Sequence, residues 1–325
     1  METSGKDTLS WLHGLEDMLL FMQRTETADY VHQYLNLNYS NDPFNVVKKL
    51  IVLAKTNLDK NDDSELFPRT INLILKAFRV ISTDSADTFL DPADWAHYAK
   101  VLFPEDKLFT QLHRYFRNPN ADVNIISDAF SRGQIQSKVW LTKELANIKT
   151  NYNDIMVMAA WYGQVRSILD VMLTYNRMRL LDIDPVNCAI SDNVFNYLEL
   201  ENYKVKSCCA NINELTCYKN GYELDLHNYS DPESKVIVEK YEPDLIINTS
   251  AEHMDDTWFN QIRFKEFENN PIVAIQSNNL FDIPEHINCV HGIDHMKKKF
   301  PMKEILFEGE LQLKGYKRVM LIGRP

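Results

Sequence analysis

Glycine is scarce in this chain: there are nine among 325 residues, and none of them forms a G-x-G-x-G run. Any cofactor-binding turn must therefore be built largely from other small residues. Cysteine is sparse too. Cys188, Cys208, Cys209, Cys217 and Cys289 make an odd number, all in the second half. The absence of a CxxC pair removes support for a zinc knuckle or a thioredoxin-like site, and buried reduced thiols are expected instead. No apolar run nears the roughly 20 residues that span a bilayer. The opening stretch METSGKDTLSWLHG has no basic segment followed by an apolar core, so it does not read as a signal peptide. A soluble, cytoplasmic protein with no membrane partner is expected. Positive charge is also in deficit, with a formal net charge of −11. An acidic chain repels phosphate backbones, which argues against broad nonspecific nucleic-acid binding while leaving room for a local basic groove. What is present is ordinary for a folded protein of one large or two medium domains: 45% hydrophobic, 25% charged and 11% aromatic residues.

Residues 1–120 read as an all-helical domain. TLSWLHGLEDMLLFMQ places Leu9, Leu12, Leu15, Leu19 and Met22 at helical spacings. NDPFNVVKKLIVLAKTNL offers Asp42 as a cap and Pro43 in its first turn, and DPADWAHYAKVLF begins the same way with Asp91 and Pro92. SELFPRTINLILKAFRVIS looks similar, and PEDKLFTQLHRYF follows with Pro104 and acids in its first turn. The Asn-, Asp- and Pro-rich stretch RNPNADVN, residues 117–124, marks a boundary. A connecting segment, 121–150, carries a helix that Ser137 would cap, with Val139, Trp140, Leu141 and Leu145 as its apolar positions.

From about residue 151 to 325 the pattern changes. Short apolar runs alternate with helical segments: DIMVMAAW, RMRLLDID, KVKSCCANI, PDLIINTS, NPIVAIQS, KEILFEGELQL and YKRVMLIG. Such alternation implies an α/β fold with a parallel sheet covered on both faces. Only Lys314-Gly315 separates the last two strands, so the final strand should run antiparallel. A parallel sheet closed by a C-terminal antiparallel hairpin is the arrangement of Rossmann-like class I S-adenosylmethionine methyltransferases, here preceded by an all-α N-terminal domain.

In such sheets ligands sit beyond the carboxyl ends of the strands. After the first strand come Ala159, Ala160, Trp161, Tyr162 and Gly163. The small residues suit close approach of backbone to a cofactor, and the two aromatics either line the pocket or fill it. After the second come Asp182 and Asp184, about twenty residues on, as a ribose-binding acid requires. Asp184 is the expected ribose ligand, with Asp182 supporting the loop or the first turn. Two other readings stay open: Asp184 caps the helix that begins at Pro185, or the DxD pair holds a metal with a sugar nucleotide. After the third strand Asn211 is the candidate for the adenine amino group, a solvated loop being the alternative. After the fourth, Asn248, Glu252 and His253 stand where an acceptor would meet the sulfonium methyl, with His253 and Glu252 as proton-handling groups. The alternative there is a loop that only caps the next helix, with Asp255 and Asp256 in its first turn. Further on, His286, His291 and His295 are five and four residues apart in a Pro/Gly-broken stretch. That is not a known ligand spacing, so they read as surface or loop histidines and no metal is expected.

SRGQIQSKVWLTKEL, AAWYG, LLDIDP, INTSAEHM..TW, AIQSNN, HINCV and ILFEGELQLKGYKRVMLIGR occur in this order. Over roughly residues 128–324 the set resembles methyltransferase-like proteins encoded by tailed bacteriophages. The resemblance implies a class I fold, S-adenosylmethionine as cofactor and the host cytoplasm as the compartment. It also implies a first turn usually written GGWYG, here Ala159-Ala160-Trp161-Tyr162-Gly163. Two alanines replace two glycines, which leaves a catalytically degenerate structural or host-interaction protein as the alternative. The methyl acceptor is unknown, and the N-terminal helical domain is the part that would select it or dock a protein partner.

Overall fold

The computed structural model describes residues 10–39, 49–50, 52, 92–119, 121–196, 203–215, 217–218, 221–229, 231, 233–262, 264 and 267–325. The helices expected around Asp42 and over SELFPRTINLILKAFRVIS lie outside these residues, as does Asp91. The chain divides into two compact units, 1–136 and 137–325.

The described part of the first unit is helical: α1 (Ser10–Phe21), α2 (Thr25–Tyr39), α3 (Pro92–Leu102), α4 (Lys107–Phe116), α5 (Val123–Ala129) and the start of α6 (Arg132–Ile148). Trp11, Leu12, Leu15, Met18 and Leu19 recur every three to four residues on α1 and are all buried. Their partners are aromatic: Trp11 meets Trp95 edge-on at 5.2 Å, and Tyr30 packs against Phe103 at 5.4 Å. Two helix starts differ from expectation. α4 begins at Lys107, because Asp106 accepts the Leu108 N–H and caps it; Pro104 and Glu105 belong to the turn before. α6 begins at Arg132, with the Ser131 hydroxyl accepting the Gln134 N–H, so Ser137 is a buried residue inside the helix rather than its cap.

The second unit is built on a seven-stranded sheet of order β3-β2-β1-β7-β8-β10-β9. Its strands are β1 (Asn151–Met158), β2 (Thr174–Asp182), β3 (Val205–Cys209), β7 (Leu245–Asn248), β8 (Ile272–Asn278), β9 (Glu304–Leu313) and β10 (Tyr316–Arg324). The first five pair in parallel; β10 runs antiparallel to both β8 and β9. This is the class I methyltransferase strand order, with the hairpin turn at Lys314-Gly315. Side chains alternate across the sheet. Met156, Met158, Ile246, Val273 and Ile275 join one core, whereas Ile155, Val157, Leu245, Ile247 and Ala274 join the other, where Leu141 and Leu145 of α6 also pack. Each such side chain stabilises the fold by about 1.5–3 kcal/mol, which is why strands covered on both faces read as continuous apolar runs.

Short helices α7 (Val165–Leu169), α8 (Pro185–Ile190), α9 (Thr257–Gln261) and α10 (Ile293–Lys299) complete the unit. In the sequence Val165, Ile168, Leu169 and Met172 follow helical spacing, but α7 stops at Leu169, before Met172, which is exposed. A second sheet, β4 (Cys217–Tyr218), β5 (Gly221–Leu226) and β6 (Ile237–Tyr241), is inserted between β3 and β7. Sequence reasoning missed it, although Tyr222, Leu224 and Leu226 alternate with polar residues on β5 and are buried. Among the described residues no helix is long and apolar enough to cross a membrane.

Candidate functional site

The chain lays down β1, β2 and β3 outward in one direction, then returns to place β7 on the other side of β1. That reversal puts the switch point of the sheet at the carboxyl ends of β1 and β7. The candidate cofactor and catalytic residues stand at the carboxyl ends of four neighbouring strands, Ala159 to Gly163 after β1, Asp182 and Asp184 at and after the end of β2, Asn211 after β3, and Asn248, Glu252 and His253 at and after the end of β7.

The turn after β1 is held in an unusual backbone. Ala159, Trp161 and Gly163 all have positive φ, at 48°, 53° and 70°. For the two non-glycine residues this conformation costs on the order of 1–2 kcal/mol each. Ala159 is where the related motif carries glycine, and the left-handed backbone is the physical reason glycine suits that position. The turn is fastened to β2. The Ala160 N–H donates to Leu181 O at 2.8 Å, and the Trp161 N–H donates to Asp182 Oδ2 at 2.8 Å. Asp182 Oδ1 accepts the Asp184 N–H at 3.0 Å and the Asn187 amide at 3.1 Å. One carboxylate thus locks the first loop to the second. Tyr162 is 2% exposed and stacks on Phe195, while Trp161 is partly exposed and stacks on Tyr162.

Asp184 is exposed. Its Oδ1 accepts the Val186 N–H at 2.8 Å and caps α8, and its Oδ2 has no donor among the described residues. Asn211 lies on the loop after β3, which the Ala210 N–H ties to Asp182 O at 2.9 Å. Its amide is used locally: Oδ1 accepts the Asn213 N–H and Nδ2 donates to Glu214. A cavity of about 250 Å³ opens beside this loop, lined by Cys208, Cys209, Ala210, Glu214, Glu223 and Asp225 among others. Burial pushes the Cys209 thiol pKa up, and the nearby carboxylates of Asp182 and Asp184 push it the same way.

The loop after β7 is braced from below. Asn248, fully buried, accepts the Ser250 N–H and donates to Met254 Sδ. Glu252 is also buried, and its Oε1 accepts from Asn278 Nδ2 at 2.8 Å and from Arg318 Nη1. Arg318 also donates to Thr249 O at 2.9 Å. Of the three candidate catalytic residues only His253 is exposed, and its ring meets that of His286 edge-on at 4.6 Å. His286 donates through Nδ1 to Leu280 O at 3.1 Å. Burial lowers its pKa below the ordinary histidine value, partly opposed by Glu252. Asp256 sits at the start of α9 and Asp255 accepts the Thr257 N–H at 2.8 Å. His291 and His295 stack on one another instead, at 5.3 Å. Sequence reasoning missed Arg318 and Asn278 as partners of Glu252. Their link is a strand register, Arg318 opposite Asn278, that no local spacing announces.

No family model matches this sequence, and no curated protein matches it either. Solved structures do show likeness in fold. The N-methyltransferase NodS from Bradyrhizobium japonicum WM9 aligns over 58% of this chain and 96% of its own, with a TM-score of 0.41 and 7% identity. The [4+2]-cyclase SpnF aligns over 59% of this chain and 82% of its own, with a TM-score of 0.42 and 11% identity. TehB from Haemophilus influenzae aligns over 57% and 62%, with a TM-score of 0.39 and 12% identity. At such values the fold assignment stands on the strand order itself.

Proposed function

We propose that the second unit binds S-adenosylmethionine across the carboxyl ends of β1, β2 and β3 and catalyses methyl transfer. The observation that carries this reading is the class I strand order combined with the Asp182 clamp, which holds a left-handed turn against the loop that bears Asp184. The residues present fit the cofactor on two counts. Asp184 keeps one carboxylate oxygen without a protein donor, as a ligand for ribose hydroxyls must. Gly163 has φ +70° and packs so tightly against Leu180 and Ser191 that no side chain fits there, which keeps the turn close to the sheet. When bound, the sulfonium supplies an electrophilic methyl group. Ala159 to Gly163 and Asp182 would position the cofactor, Asn211 would serve its adenine end, and His253 would accept a proton from a neutral acceptor. Asn248 and Glu252 brace the loop that carries His253.

The ordered motifs over residues 128–324 support a phage-encoded origin and the host cytoplasm as the compartment. The helical first unit is then the part that selects the acceptor or docks a protein partner. A second reading, a noncatalytic member of the fold, is favoured by the local use of the Asn211 amide and by the pairing of Glu252 with Arg318.

Isothermal titration with S-adenosylmethionine and S-adenosylhomocysteine separates the two. Binding by the native chain, weakened tenfold or more in Asp184→Ala (about 1.4 kcal/mol), is the expected result. No heat with either ligand from the folded protein refutes the cofactor reading and favours the noncatalytic one.

A further inference from the structure

Glu252, His253 and His286 each offer one ligand atom, and these atoms all lie within 4.8 Å of one another. Two of the residues come from the turn after β7 and the third from the loop after β8, so the cluster is created by folding. One observation marks it as unfinished. Glu252 is 2% exposed, its Oε1 is taken by Asn278 and Arg318, and its Oε2 is buried with no donor among the described residues. A buried carboxylate oxygen without a partner costs several kcal/mol. The fold tolerates this here, directly beside two imidazoles.

We propose that Glu252, His253 and His286 hold a divalent first-row transition-metal ion at the carboxyl ends of β7 and β8. Two imidazole nitrogens and one carboxylate oxygen are the donor set such ions take while leaving further positions open. The chain already supplies outer contacts of the kind that orient metal ligands. Leu280 O accepts from His286 Nδ1, which fixes the tautomer and leaves Nε2 as the donor to metal. Arg318 and Asn278 grip Oε1 and so present Oε2. Ligand atoms around such an ion stand about 3.4 Å apart for bonds near 2.1 Å in a tetrahedral arrangement. Closing from 4.8 Å asks for a small rotation, and His253, being exposed, is free to make it. The Arg318 charge opposes the cation and sets a moderate rather than extreme affinity. It also leaves the metal site net positive, which favours an anionic oxygen donor at the open positions. With the ion in place His253 is a ligand rather than a proton acceptor, so under the methyl-transfer reading the charge of the ion would lower the pKa of an acceptor at the open positions; the metal site itself does not depend on that reading.

The test is a cobalt titration of the full-length chain after dialysis against a chelator, without any cofactor. The readouts are the visible absorption of bound Co²⁺, the stoichiometry, and displacement by Zn²⁺. The expected result is one equivalent bound, weakened tenfold or more in both His253→Ala and His286→Ala and unchanged in His291→Ala. His253 is exposed, so His253→Ala should melt like the native chain, and the loss can then be read as loss of a ligand. Failure of the native protein to bind one equivalent would overturn the proposal. So would native-like titration of the His253 and His286 variants, or loss of binding in His291→Ala. The assay reads neither methyl transfer nor adenosyl binding, so its outcome is distinct from that of the cofactor titration.

Discussion

Replacing Gly163 with alanine tests whether the turn after β1 is as constrained as its geometry implies. Gly163 has φ +70°, and a Cβ there would stand 2.6 Å from Leu180 Cδ1 and 2.8 Å from Ser191 Oγ. Neither neighbour can retreat easily. Leu180 is core, and the buried Ser191 hydroxyl is bonded to Asn196 at 2.9 Å and Ser207 at 2.8 Å. Left-handed backbone costs an alanine about 1–2 kcal/mol, and forcing a methyl into filled space costs about 1–3 kcal/mol more. Gly315 supplies the internal control. It has φ +86° in the β9–β10 hairpin, yet a Cβ there meets nothing within 4 Å, so Gly315→Ala carries the backbone cost alone. Both glycines belong to the same unit and report on the same unfolding transition. For a unit of this size 1 kcal/mol moves Tm by about 2–4 °C. Gly163→Ala should therefore melt about 2–12 °C below Gly315→Ala by calorimetry or circular dichroism. Equal melting temperatures would refute the packing argument and, with it, the rigid turn on which the proposed cofactor site is built.

Burial, followed by the nearby charges of Lys100, His97 and Arg117, holds the His113 pKa down to about 4. A depressed pKa contributes stability above the ordinary value of about 6.5 that is lost as pH falls through about 4, amounting to roughly 3 kcal/mol at most. Amide exchange over Lys107–Phe116 in the intact chain should accelerate across that window, and His113→Gln should flatten the change; identical pH profiles would contradict the assignment. Lys206→Met strands the buried carboxylate of Asp192 and should cost about 3–5 kcal/mol in urea unfolding. Adding Asp192→Asn should recover most of that loss, and a double variant no more stable than the single would show that the charge is not what matters.

Much of the second unit was legible because its signals are local. Apolar runs of strand length, caps such as Asp184 and the two-residue link at Lys314-Gly315 depend on neighbours a few residues away. The inserted sheet escaped notice even though β5 alternates, because β6 exposes its apolar Ile237 and Val238 and fully buries only Tyr241 at its end. The start of α6 was misplaced because Ser131 and Ser137 are equally good caps by composition, and only burial tells them apart.

The linear order of residues by itself decided the class of fold and the loops on which chemistry can occur, since strand periodicity and turn residues act over short separations. The tertiary structure alone decided which polar groups meet. Arg318 reaches Glu252 across 66 positions, and Asp182 reaches the Trp161 N–H across 21. His286 closes on His253 from a separate loop. Such pairings are set by strand register and by the direction in which loops leave the sheet, and these are fixed only when the whole sheet has formed and its two cores are closed.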